Sequence, residues 1–215
     1  MWPSAERTFG DRRGAGRVLG DLLADRCAGC DVVVLGLARG GVPVGAEVAA
    51  RLGAELDAFV VRKLGAPQSP ELAMGAIASG GGIVVNDHLV SRLGITAAEL
   101  RDVVEAETRE LARREVAYRG QTPPPRLANR TVVLVDDGIA TGATMLAALR
   151  AVRTAGPTQV IVAVPVGPRS AFDLLRAESD DVVVAAVPKR FDAVGQAYED
   201  FRQVTDDEVR EALKR

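Results

Sequence analysis

Apolar residues along the chain follow two rhythms. Short runs rich in β-branched residues recur at 32–37 (VVVLGL), 56–61 (LDAFVV), 83–86 (IVVN), 131–135 (TVVLV), 159–164 (QVIVAV) and 182–187 (VVVAAV). Several are apolar at every position, the mark of strands covered on both faces. Between and around these runs, helical periodicity predicts helices over about 12–27, 43–52, 97–118, 143–155, 169–178 and 206–214. Two of these open on capping boxes: Thr96 with Glu99, and Thr205 followed by Asp206, Asp207 and Glu208. Strands alternating with helices predict an α/β fold, an open and mostly parallel sheet with helices on both faces. The stretch RGQTPPPRLANR (119–130) is a stiff Pro-rich connection, but the strands on either side read as one sheet, so a single domain over 1–215 is expected. The helix at 97–118 is heavily charged, which suits a solvated face or a subunit contact.

Composition narrows the function classes. A chain of 215 residues with 47% hydrophobic residues can bury a full core. A net charge of −2 lacks the basic excess of a nonspecific nucleic-acid binder, and 4% aromatic content leaves little for stacking on single strands. The opening MWPSAERTFGDRR carries Glu6 and Asp11 and no apolar segment of the kind a signal peptide needs, and the apolar runs are too short to span a bilayer. A cytoplasmic protein with neither membrane nor nucleic-acid partners is expected. Cys27 and Cys30 form a C-x-x-C, but zinc would need two further ligands, and His88 is the sole histidine. A redox pair would open a helix after a strand, whereas this one closes a helix before a strand. The pair reads as two small residues at a helix end, and no protein-held metal site is expected.

The chemistry concentrates in TVVLVDDGIATGATM, Thr131 to Met145. In open α/β sheets, ligands bind at the carboxyl ends of strands, where Asp136 and Asp137 fall. The following ATGAT (Ala140, Thr141, Gly142, Ala143, Thr144) leads into a helix whose free N–H groups and positive dipole end favour a phosphate. The two threonines add hydroxyl donors. No lysine lies between Arg130 and Lys189, so this is not a P-loop, and GLARGG at 36–41 lacks the spacing of a dinucleotide fingerprint. A phosphate cup beside two carboxylates suits a sugar phosphate, the acids accepting hydrogen bonds from its hydroxyls or holding a metal.

These residues resemble the 5-phosphoribosyl 1-diphosphate (PRPP) signature of type I phosphoribosyltransferases: apolar strand, two acids, then T-G-x-[ST]. The resemblance implies that fold, with a small C-terminal hood at about 187–205. It implies that Asp136 and Asp137 hold the ribose hydroxyls and that residues 140–144 hold the 5-phosphate. Gly138 departs from the pattern, where a larger apolar residue is usual. ARGG (Ala38, Arg39, Gly40, Gly41) matches the family's pyrophosphate loop, and Lys63, in VVRKLGAP, its basic contact to the diphosphate. The small-residue-rich stretch after Lys63, about 64–82, matches a mobile closing loop. VPKRFDAVGQAYEDFR (187–202) is similar to the hood of hypoxanthine-type members, in which Phe191 would stack on the accepting base; a plain core role for Phe191 stays open. Ala140 stands where those members carry an aspartate, which weakens a 6-oxopurine assignment. The implied reaction is nucleotide-salvage chemistry, transfer of 5-phosphoribosyl from Mg²⁺-PRPP to a nitrogen nucleophile, with Asp136, Asp137, Lys63 and Arg39 as its catalytic set and a homodimer as the assembly many relatives form. The alternative is a PRPP- or nucleotide-sensing regulator on the same fold.

Overall fold

The computed structural model describes residues 7–214; the first six residues of the N-terminal stretch read above, and residue 215, lie outside the described residues. The strands are β1 (Val32–Leu37), β2 (Glu55–Phe59), β3 (Val61–Ala66), β4 (Ser69–Ala78), β5 (Ile83–Val85), β6 (Thr131–Val135), β7 (Gln159–Val166) and β8 (Asp181–Ala186). The helices are α1 (Arg12–Ala24), α2 (Gly41–Leu52), α3 (Asp87–Arg92), α4 (Ala97–Arg119), α5 (Ala143–Thr154), α6 (Arg169–Arg176) and α7 (Asp206–Leu213).

Five strands form a wholly parallel sheet in the order β2-β1-β6-β7-β8. Its central strands are apolar throughout because both faces are covered, and the period of two divides their side chains between two cores. Val33, Leu35, Val132, Leu134, Val160 and Val162 face Met145 and Leu149 of α5 and Phe172 and Leu175 of α6. The intervening Val32, Val34, Val133, Val135, Ile161 and Ala163 face Leu19 of α1 and Val44 and Val48 of α2. The expected α/β fold, with helices on both faces of an open parallel sheet, is therefore the observed one. Both capping boxes form, Thr96 with Glu99 and Thr205 with Glu208.

Three expectations need correction. The run read as one strand at 56–61 breaks at Val60, whose N–H donates to the Ser79 hydroxyl (2.9 Å) and whose carbonyl accepts from the Ser79 N–H (2.8 Å). The chain there leaves the parallel sheet and enters a second, antiparallel one, β3-β4-β5. Consequently the strand near 83–86 does not share a sheet with 131–135. The stretch after Lys63, read as irregular, is mostly the ten-residue strand β4, paired with β3 across register shifts at Leu64, Gly65 and Ala66. Its first half is exposed and its second half packs inward, Ile77 joining a third core with Val60, Leu64, Leu111 of α4 and Val209 of α7. Helix α4 fully buries Leu111 and Tyr118, with Val103 and Val104 packed partly against the same core, and most of its other positions are charged and exposed.

Candidate active site

Site residues gather at the carboxyl edge of the parallel sheet. Strand β6 ends at Val135 and delivers Asp136 and Asp137; β1 ends at Leu37 and delivers the loop Ala38 to Gly41. Because β1 and β6 are hydrogen-bonded neighbours, residues about 100 positions apart in sequence become adjacent in space. Asp136, Gly138 and residues 139–145 line a cavity of about 120 Å³. Gly142 sits at the N-cap of α5 with φ 82°, a left-handed conformation that favours glycine, and no side chain caps the helix. The first-turn N–H groups of α5 therefore lack the partners a cap would supply, which makes an anion seat. Thr141, Ala143 and Thr144 are exposed at its rim, and the Thr141 hydroxyl accepts the Ala143 N–H at 3.4 Å.

The 38–41 loop presses directly on the acids. A Cβ at Gly41 would lie 2.4 Å from the Val135 carbonyl oxygen and 2.9 Å from Asp136 Cα, and one at Gly40 would lie 2.1 Å from Asp137 Oδ2. Only glycine lets the two loops meet this closely. Gly41 also opens α2, so two helix N-termini, those of α2 and α5, converge on the acid pair. The Ala38–Arg39 peptide is cis. Arg39 lies 3.6 Å from Asp206 Oδ1 at the start of α7.

The two acids differ in their surroundings. Asp136 accepts the Asp137 N–H on Oδ1 (2.8 Å) and, among the described residues, has no ion-pair partner. Burial, reinforced by the adjacent Asp137 charge, holds its carboxyl well above the ordinary carboxylate range. Asp137 is also pushed up by burial, but Arg12 opposes that shift by donating Nε–H to Oδ2 at 2.8 Å. The Tyr198 hydroxyl donates to the Asp137 carbonyl at 2.5 Å, and burial next to that acid raises the phenol above its normal value. Arg12 and Tyr198 were not among the sequence candidates. They lie 125 and 61 residues from Asp137, so no local motif could connect them.

The departure at Gly138 is also explained. A Cβ there would lie 2.4 Å from Val194 Cγ1, so the space a larger residue would fill is taken by the short 3-10 turn Val194–Ala197. That turn leads to Tyr198, whose ring lies 5.7 Å from Phe9 and 5.0 Å from Phe201.

The structure thus brings together residues 38–41, the acid pair and 140–144. It does not bring Lys63 or Phe191 into contact with them. Lys63 pairs with Glu71 across the β3-β4 hairpin at 3.0 Å. Phe191 is half-buried against the second core and lines a separate cavity of about 210 Å³ with Val166 and Ala186, at the ends of β7 and β8. Cys27 is buried just beyond α1 and Cys30 is exposed, both with free thiols; burial raises the Cys27 thiol. No helix among the described residues is long and apolar enough to cross a membrane.

An open parallel sheet thus carries a glycine-started helix, an acid pair and a glycine loop together at one carboxyl edge. The chain belongs to the phosphoribosyl transferase domain family, whose sequence model matches residues 12–195. It is 47% identical over 203 residues to a Mycobacterium tuberculosis protein named as a candidate phosphoribosyl transferase, in two strains alike. That match covers 94% of this chain and 46% of the relative, so the chain spans about half the length of the curated relatives it matches. Among solved structures, TT1426 from Thermus thermophilus is similar at 45% identity with a TM-score of 0.84, over 96% of this chain and 97% of that one. The AQ2163 protein from Aquifex aeolicus shares the fold at 12% identity, with a TM-score of 0.51 over 86% of this chain and 78% of that one.

Proposed function

We propose that the protein is a phosphoribosyltransferase that binds Mg²⁺-PRPP and transfers its 5-phosphoribosyl group to a nitrogen nucleophile, most simply a nucleobase. The observation that carries this reading is the contact of the 38–41 loop with the acid pair. That contact supports a diphosphate seat against a ribose seat, with a 5-phosphate seat in the adjoining cup. Residues 140–144 hold the 5-phosphate, Asp136 and Asp137 the ribose hydroxyls, and Ala38 to Gly41 the diphosphate through backbone N–H groups and the Arg39 guanidinium.

The C1–O bond breaks with its electron pair leaving on diphosphate, and the acceptor nitrogen forms the new bond to C1, releasing a proton to solvent. Catalysis here is positioning and charge stabilisation. Mg²⁺ bound with the substrate would supply neutralising charge to the diphosphate, and Asp136, which has no ion pair among the described residues, is the acid that could face it. The β3-β4 hairpin, carrying Lys63, closes over the diphosphate and excludes water, which would otherwise hydrolyse the activated sugar. The acceptor lies in the cavity beside Phe191, whose position at the ends of β7 and β8 puts it on the same edge of the sheet.

A screen for diphosphate release from Mg²⁺-PRPP across purine, pyrimidine and non-nucleobase amine acceptors tests the reading. Acceptor-dependent release supports the enzyme. PRPP binding without release for any acceptor would favour a ligand-sensing regulator instead.

A further inference from the structure

The two adjacent acids are treated very differently by the chain, and the difference lies in Arg12. Its side chain is only 11% exposed, and the guanidinium is held on three sides. Nε–H donates to Asp137 Oδ2 at 2.8 Å, one Nη donates to the Arg202 carbonyl at 2.8 Å, and the Phe201 ring lies 4.0 Å away, centroid to Cζ. A planar fork held by packing in this way loses little freedom on making its hydrogen bonds. The Asp137 carboxylate, meanwhile, lies against Gly40, within the loop assigned to the diphosphate. An unneutralised carboxylate at that place would repel a polyanion arriving on the same loop, and in a site of low dielectric the repulsion would be strong.

We propose that Arg12 is a positioning residue that fixes and neutralises Asp137, so that the 38–41 loop can accept a diphosphate. This rests on the PRPP reading above and goes beyond it. It divides the acid pair into Asp136, facing the phosphate cup, and Asp137, a carboxylate already matched to a cation before substrate arrives. It also gives a role to two segments far apart in the chain. The first turn of α1 and the aromatic stretch 198–202 meet on Asp137 and form the back wall of the site. Arg39, the other arginine of this region, pairs with Asp206 at 3.6 Å rather than with Asp137.

The test compares two ligands on wild type, Arg12→Met and Arg12→Lys. Mg²⁺-PRPP affinity is measured by calorimetry, and inorganic phosphate binding to the cup by amide shifts of residues 141–144. The expected result is that Arg12→Met weakens PRPP at least about tenfold and leaves phosphate binding in the cup unchanged, while Arg12→Lys, which keeps the charge but not the planar fork, recovers part of the loss. Arg12→Gln replaces Arg12→Met, with the same expectation, if the methionine variant does not fold. Unchanged PRPP affinity in the neutral variant would overturn the proposal. So would a parallel loss of PRPP and phosphate, which marks a scaffold role, or a lysine variant as poor as methionine. If the wild type itself binds no PRPP, the functional reading fails and carries this proposal with it; if the wild type binds and the neutral variant matches it, this proposal alone fails.

Discussion

The two halves of the site are built in opposite ways. The proposed phosphate cup is one contiguous stretch, open at its rim, with Thr141, Ala143 and Thr144 exposed. The wall around Asp137 is assembled from three distant stretches, at Arg12, at Gly40, and at Tyr198 with Phe201, and is closed. The cup needs only a strand end, a left-handed glycine and a helix start, all local. The wall depends on which strands are neighbours and on where the chain returns after β8. A cup of this kind tolerates change in its side chains, whereas the wall does not.

The largest effect is expected where the glycine loop beside the closed wall meets the end of β6. Gly41→Ala would place a methyl group 2.4 Å from a backbone carbonyl, and neither loop can yield without moving β6 or α2. A loss of about 2–4 kcal/mol in urea unfolding is expected, close to the upper range for single substitutions. Tyr198→Phe comes next. It removes the donor to the Asp137 carbonyl while keeping the ring stack on Phe201, for about 1–2 kcal/mol in the same assay.

The sequence carried the cup almost entirely and the wall hardly at all. Strands 32–37 and 131–135 were legible to the residue because burial on both faces leaves them uniformly apolar. The TGAT helix start was legible because its glycine and missing cap are local features. Arg12 carries no local signal that sets it apart at a helix start, and Tyr198 and Phe201 fell within the 187–202 stretch matched to a hood, with a core role equally open. The break at Val60 was hidden inside a continuous apolar run, since the hydroxyl that turns the chain belongs to Ser79. Strand β4 was missed because its Ser, Pro, Gly and Ala content denies it strand propensity; its pairing comes from β3 and β5 instead.

Titration separates the two acids further. Asp136 has a carboxyl pKa raised by burial and by its neighbour, so the folded state holds its proton more tightly than the unfolded chain does. The stability this contributes is full below the unfolded value, near pH 3.8, and is lost as pH rises through the folded value. Asp136→Asn does not suffer that loss, and its melting temperature relative to wild type should climb as pH is raised from about 4 to 7. A difference that stays constant with pH would contradict the assigned environment. The smallest stability effect is expected at the open cup. Thr144→Ala should change unfolding free energy by less than about 0.5 kcal/mol, as exposed substitutions do, while weakening phosphate by up to roughly tenfold through a lost donor.

The measurement that bears most directly on the central claim is calorimetric titration of the purified protein with Mg²⁺-PRPP, beside Asp136→Asn. Saturable one-site binding in the wild type, weakened at least about tenfold in the folded variant, is the result expected of a ribose-binding carboxylate. No binding by the wild type, or equal affinity in the variant, would contradict the assignment of this edge of the sheet to the sugar of PRPP.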